Sequence, residues 1–138
     1  MKNYISPQQE LFAELLTSLR DEFADDGIKV YDGELPPEGT PYPFIYLSDA
    51  EQSDGTNTKD HLFGRADQTI DVWMDDTGKR GTLTRILTGI GIMSLKLEKT
   101  EHYTWKRVDC IQRIIPDNTT STPLLHGVLE VTYEVCRR

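Results

Sequence analysis

The stretch from Arg65 to Leu95 constrains the fold more than any other. Ala66, Gln68, Ile70, Val72 and Met74 alternate with Asp67, Thr69, Asp71 and Trp73, a pattern that puts the first set on one face of a strand and the second on the other. Asp75-Asp76-Thr77-Gly78 breaks the alternation. Leu83, Ile86, Leu87, Ile90 and Met93 then recur at helical spacing. A strand with one apolar face needs a layer to cover it, and the helix that follows carries the matching stripe. Any fold for this chain must lay that helix on that strand.

The flanking segments extend the same plan. Ser6-Pro7-Gln8-Gln9 reads as a capping box, with Ser6 as N-cap and Pro7 in the first turn. Leu11, Phe12, Leu15, Leu16, Leu19 and Phe23 mark one face of the helix it opens, and Gly27 is the expected stop. Asp21, Glu22, Asp25 and Asp26 crowd its last turn, where the helix dipole disfavours anions. They are either a solvated acidic end or partners for basic groups on a neighbouring chain. Ile28–Tyr31 and Phe44–Leu47 read as short strands. Between them, four prolines fall in the eight residues from Pro36 to Pro43, a stiff connection that cannot join a ladder. Ser48 to Gly64 is polar, with turn chemistry at its tip, and part of it is able to extend a hairpin toward Arg65.

Glu101 to Ile115 reads as a long strand with apolar groups on both faces. Tyr103, Trp105, Ile111 and Ile115 share one face with Arg107, Asp109 and Arg113, while Val108, Cys110 and Ile114 lie opposite. A turn-rich link, Pro116–Pro123, leads to a clean half-buried strand in which Leu125, Gly127, Leu129, Val131, Tyr133 and Val135 alternate with His126, Val128, Glu130, Thr132, Glu134 and Cys136. The expected fold is a single α+β domain over residues 1–138. It has an antiparallel sheet of about five strands and two helices on one face, in the order α-β-β-β-α-β-β. Trp105 is expected in the core. Trp73, opposite Ile70 and Val72, either packs under another layer or meets a partner.

The residues carry little chemistry. Gly78-Lys79-Arg80-Gly81-Thr82 lacks the spacing of a phosphate-binding loop. His61, His102 and His126 have no metal-ligand spacing, and Asp49 to Asp60 does not match a calcium loop. His102 with Cys110, or His126 with Cys136, is the nearest approach to a nucleophile pair, yet a cysteine inside an alternating strand is ordinarily inert packing. No catalytic, metal or cofactor site is expected. With no apolar run long enough to span a bilayer and no signal-like start, reduced thiols and no membrane contact are expected. A net charge of −8, from 15 Lys+Arg against 23 Asp+Glu, argues against gripping nucleic acid by its phosphates.

Val30-Tyr31-Asp32-Gly33-Glu34-Leu35-Pro36-Pro37 through Pro41-Tyr42-Pro43-Phe44-Ile45 resembles the VYDG…P…PYPFI signature of small tail-completion proteins of long, non-contractile-tailed bacteriophages and prophages. Gln68–Trp73 followed by a helix is similar to the next part of that pattern. The family is also described as tail terminators, tail-to-head joining proteins or minor head–tail components. The resemblance implies a ring of identical subunits, usually a hexamer, that caps the tail tube and joins it to the head connector. It implies no enzymatic activity, a lumen that lets DNA pass without specific binding, and a place at the tail–head junction of the virion after assembly in the host cytoplasm. A head-side neck or adaptor protein of the same topology is one alternative; a small cytosolic ligand-binding or hydrolase domain is another. Under the first reading, Leu35, Pro36, Pro37, Tyr42, Asp54, Asn57, Asp60 and Trp73 are the expected interface residues.

Overall fold

A computed structural model of the chain describes residues 4–55 and 63–138. Helix α1 spans Pro7–Phe23, followed by strands β1 (Lys29–Asp32), β2 (Phe44–Asp54) and β3 (Phe63–Met74). A short 3₁₀ turn, Thr77–Lys79, opens into helix α2 (Arg80–Lys96), and strands β4 (Tyr103–Asp117) and β5 (Leu124–Arg137) complete the fold. The strands form one five-stranded sheet in the order β1-β2-β3-β5-β4. Both helices cover the same face, so the fold is α+β as expected. Among the described residues, no helix is long and apolar enough to cross a membrane.

Local chemistry accounts for the helix ends. The Ser6 hydroxyl accepts the Gln9 amide at 3.1 Å, which satisfies one donor left free in the first turn. At the other end Gly27 adopts φ 68°, the Gly27 amide reaches the Ala24 carbonyl and the Ile28 amide reaches the Phe23 carbonyl. Those two bonds are the signature of a helix closed by a left-handed glycine. Asp76 caps the 3₁₀ turn by accepting the Gly78 amide at 2.8 Å.

The core lies between the helices and one sheet face. Leu11, Leu15 and Leu19 of α1 and Leu83, Leu87 and Ile90 of α2 meet Ile45, Leu47, Ile70, Val72, Leu129 and Tyr133 from the sheet. The alternation in β3 holds throughout: Ala66, Gln68, Ile70, Val72 and Met74 are all buried. Gln68 is the polar member, and its amide donates to the Asp49 and Thr69 carbonyls. Trp105 is buried, and its indole donates to Thr100 Oγ1 at 2.9 Å.

Three details refine the sequence reading: the first and third correct it, and the second, the hairpin extension of Ser48–Gly64 toward Arg65, bears it out. First, β1 runs parallel to β2, with Lys29 opposite Phe44 and Asp32 opposite Leu47, while the other pairs are antiparallel. Such a short strand spans only about 13 Å, so the Pro-rich connector is long enough to return the chain to the starting end without a helix. Second, much of the polar Ser48–Gly64 segment is ladder. Ala50 to Asp54 pairs with Gln68 to Gly64 after a register shift between Leu47 and Ala50. Third, a bulge at Val108 flips the faces of β4, because the register shifts between Arg107 and Asp109. Tyr103, Trp105 and Arg107 point under the helices. Beyond the bulge Cys110 and Ile114 take over that face, and Ile111, Arg113 and Ile115 turn outward, so Ile111 and Ile115 do not share the face of Trp105.

A side-chain tie locks the start of α1 to the loop before β4. Glu10 Oε1 accepts the His102 amide at 3.1 Å, Glu10 Oε2 sits 2.6 Å from His102 Nδ1, and Tyr103 donates to the Ile5 carbonyl. Burial by itself raises the Glu10 pKa, but hydrogen bonds from Thr100 and His102 and the charge of His102 outweigh it, leaving the carboxyl below its usual 4.5. A depressed folded-state pKa stabilises the protein above the unfolded value, and that stability is lost as pH falls through the folded value. Glu10→Gln is therefore expected to cost about 1–2 kcal/mol near pH 7. The gap between variant and wild type should close in urea titrations performed below about pH 4. An equal gap at both pH values would place the effect elsewhere.

Candidate functional site

The face of the sheet that no helix covers is the broadest surface with organised chemistry. Strand register aligns Phe44, Trp73, His126 and Ile115 in one row across β2, β3, β5 and β4. The Trp73 and His126 rings stack with centroids 3.9 Å apart and planes within 7°. One row further along β3, Asp71 Oδ1 sits 2.5 Å from His126 Nε2, and its side chain keeps only 11 % of its surface exposed. Thus a carboxylate, an imidazole and an indole form one fixed unit. Because strand neighbours supply all three, the sheet itself positions them.

Below this unit the open face forms a groove of about 530 Å³. Asp49, Glu51, Asp67, Asp71 and Glu130 line it, against Arg113 and His126 as the basic groups. Among the described residues, Asp67 Oδ1 is shielded from solvent and has no hydrogen-bond partner. The groove is therefore acidic, and it repels phosphate at distances shorter than the Debye length of about 8–10 Å. A histidine oriented by a carboxylate can serve as a general base when a nucleophile lies against its other nitrogen. Here one face of the His126 ring stacks on the indole of Trp73, which fixes the ring plane and leaves the edge nitrogens as they are. Among the described residues no group of three or more His, Cys, Asp or Glu side chains is placed to hold a metal ion.

Replacing His126 with alanine leaves the Asp71 carboxylate nearly buried without its partner. The expected cost is about 1–3 kcal/mol in chemical denaturation. Adding Asp71→Asn should recover part of it, because an amide is cheaper to bury than an unpaired charge. A double variant less stable than His126→Ala alone would contradict the pairing.

The expected interface residues separate into groups. Leu35 is 64 % exposed and Tyr42 39 % exposed on the connector between β1 and β2, with Pro37 exposed and Pro36 half-buried beside them. Tyr42 packs on Phe44 at 5.4 Å, and Phe44 meets Tyr31 edge-on at 5.8 Å, so the connector runs into the aromatic row that contains Trp73. Asp54 lies at the far end of β2, about 30 Å away along the strand, where it accepts a hydrogen bond from Gln52. Asn57, Asp60 and His61 lie outside the described residues. The histidine–cysteine pairs do not form the contacts considered for them, since His102 turns to Glu10 and His126 to Asp71.

No family model matches this chain, and no curated protein does. Its fold is nonetheless found elsewhere. A solved structure described as the virion of a native gene transfer agent particle contains a chain that superposes with a TM-score of 0.59. The match covers 95 % of each chain at 13 % sequence identity. At that identity it is the fold that is shared.

Proposed function

We propose that this chain is a structural subunit of a phage-like virion. Within it, the chain acts as a tail terminator, a homo-oligomeric ring that caps the tail tube and joins it to the head connector. The observation that carries this reading is the full-length likeness to a chain of a gene transfer agent virion. The VYDG…PYPFI resemblance supports it independently, since it rests on residues and not on coordinates. The protein works through surfaces, with no catalytic step. Its open acidic face lines the channel, where carboxylates keep DNA phosphates from adhering as the DNA passes. The covered face carries the helices on the outside of the ring, and the two sheet edges point toward neighbours.

The experiment is native mass spectrometry of the purified chain across a range of concentrations, followed by negative-stain imaging with purified tails. A closed ring, alone or formed on the end of a tail, supports the proposal. Dimers at every concentration that ignore tails overturn it. Ring density on the head vertex and none on the tail would move the protein to the head-side neck of the same assembly.

A further inference from the structure

The two edges of the sheet are unlike each other and complementary. At the β1 edge, the connector to β2 exposes Leu35 between Glu34 and Glu38, and residues 30–58 contain no lysine or arginine. At the β4 edge, Ile111 and Ile115 are 47 % and 45 % exposed, and Arg113 stands exposed between them. The connector thus offers an apolar group beside carboxylates, next to Lys29 of β1 and to Arg20 of α1, which bonds to Val30 and Asp32, and the β4 edge offers apolar groups beside a guanidinium. The five-stranded order β1-β2-β3-β5-β4 holds these edges about 19 Å apart, so they cannot meet within one subunit. Among the described residues β5 is the one strand that pairs with β4, and the outer side of β4 is bridged at its start, Tyr103–Trp105, by Glu98–Thr100, so the stretch carrying Ile111, Arg113 and Ile115 is the open part of that edge. Stiff proline-rich chain lies well against such an edge, as little conformational entropy is lost when it docks.

We infer that the connector carrying Leu35 in one copy docks on the outward face of the β4 edge, at Ile111, Arg113 and Ile115, in the next copy. This deepens the ring reading and rests on it for closure. Contact between two different patches of one chain is heterologous, and it propagates from subunit to subunit until the rotation closes. Burial of the leucine between the two isoleucines supplies affinity, and the glutamates flanking the leucine meet the Arg113 guanidinium and fix the register.

The test uses full-length chains carrying Leu35→Asp or Ile111→Asp, both at exposed positions, with circular dichroism as the check on folding. Each variant alone should fall to monomer in sedimentation velocity, with a subunit dissociation constant raised about tenfold or more. Mixed in equal amounts, they should form a one-to-one dimer and nothing larger, since each variant keeps one intact edge. Arg113→Glu should also dissociate the assembly, and the same chain carrying Glu34→Arg and Glu38→Arg should restore it. Variants that assemble like wild type overturn the seam while leaving the virion role standing. A wild-type chain that is monomeric at millimolar concentration and on tails overturns both. If the mixing rule holds but the wild type grows open filaments, the seam stands and the tail-ring role falls.

Discussion

Valine in place of Gly127 is expected to lower the melting temperature by about 10 °C, from a loss near 3 kcal/mol. Gly127 is buried in β5 directly beneath α2. A Cβ there would stand 2.9 Å from Leu83 Cδ1, closer than real Cβ atoms come, and a tight 3.1 Å from Leu87 Cδ1, so these buried leucine side chains would have to shift. Valine is the better strand former by up to about 1 kcal/mol, so the clash must outweigh a favourable propensity. It does so because α2 cannot retreat without giving up the burial of Leu83, Leu87 and Ile90, which are all nearly inaccessible to solvent. The decisive measurement is a double-mutant cycle with Leu87→Ala. That change alone removes buried methyl groups and costs about 2–5 kcal/mol. In the Gly127→Val background it should cost at least about 1 kcal/mol less, because the shortened side chain makes room for the valine. Additive losses would show that α2 does not sit over Gly127.

The same contact explains what could be read from the residues alone. The β3 alternation and the α2 stripe are local periodicities, and each predicted buried residue in β3 is buried. Capping chemistry is local too, so Ser6 and Gly27 declared their roles in advance. The direction of β1 is not local. Its four residues carry no mark of whether the partner runs parallel, and only the path of the connector decides it. The bulge at Val108 hides for a related reason. One inserted residue inverts every face assignment that follows, yet apolar groups on both faces of Glu101–Ile115 are equally compatible with an unbroken strand covered on both sides. That ambiguity was visible; its resolution lay in the register against β5.

The open-face unit was hidden more completely. Asp71 and His126 are 55 residues apart, and nothing in either neighbourhood singles them out. They meet because Trp73 pairs with His126 and Asp71 with Val128 in the β3–β5 ladder. Trp73 was legible as an outward-facing aromatic, but the ring stacked on it required knowledge of which strand comes next in the sheet. The connector residues Leu35 and Tyr42 were legible because proline forbids ladder pairing and thereby leaves neighbours exposed. The β4 side of the proposed seam was not, since without the bulge Ile111 and Ile115 fall on the face of buried Trp105.

Arg107 immediately precedes that bulge, and its replacement by methionine is expected to cost about 2–3 kcal/mol. The guanidinium reaches under α2, where Nη1 donates to the Gly91 carbonyl at 2.7 Å and to Ser94 Oγ at 2.9 Å. Ser94 is fully buried, its hydroxyl donates to the Gly91 carbonyl, and its own carbonyl accepts the Tyr133 hydroxyl at 2.5 Å. Burial pushes the Tyr133 pKa well above its usual 10, so this hydroxyl remains a donor at all ordinary pH values. The positive charge also sits near the carboxyl end of α2, where the helix dipole favours it. Methionine fills similar volume but leaves these acceptors short of a donor in a dry site. Lysine should recover part of the loss, because both bonds leave one nitrogen and an ammonium carries a donor for each. Coupling measured between Arg107→Met and Ser94→Ala should exceed about 0.5 kcal/mol, as expected for members of one network. The bulge follows immediately at Val108, so loosening Arg107 also frees the register that turns Ile111 and Ile115 outward. Arg107→Met should therefore weaken subunit association although Arg107 does not form part of the seam. Association unchanged from wild type, at a temperature where the variant remains folded, would separate the bulge from the seam and leave Arg107 a purely internal tie.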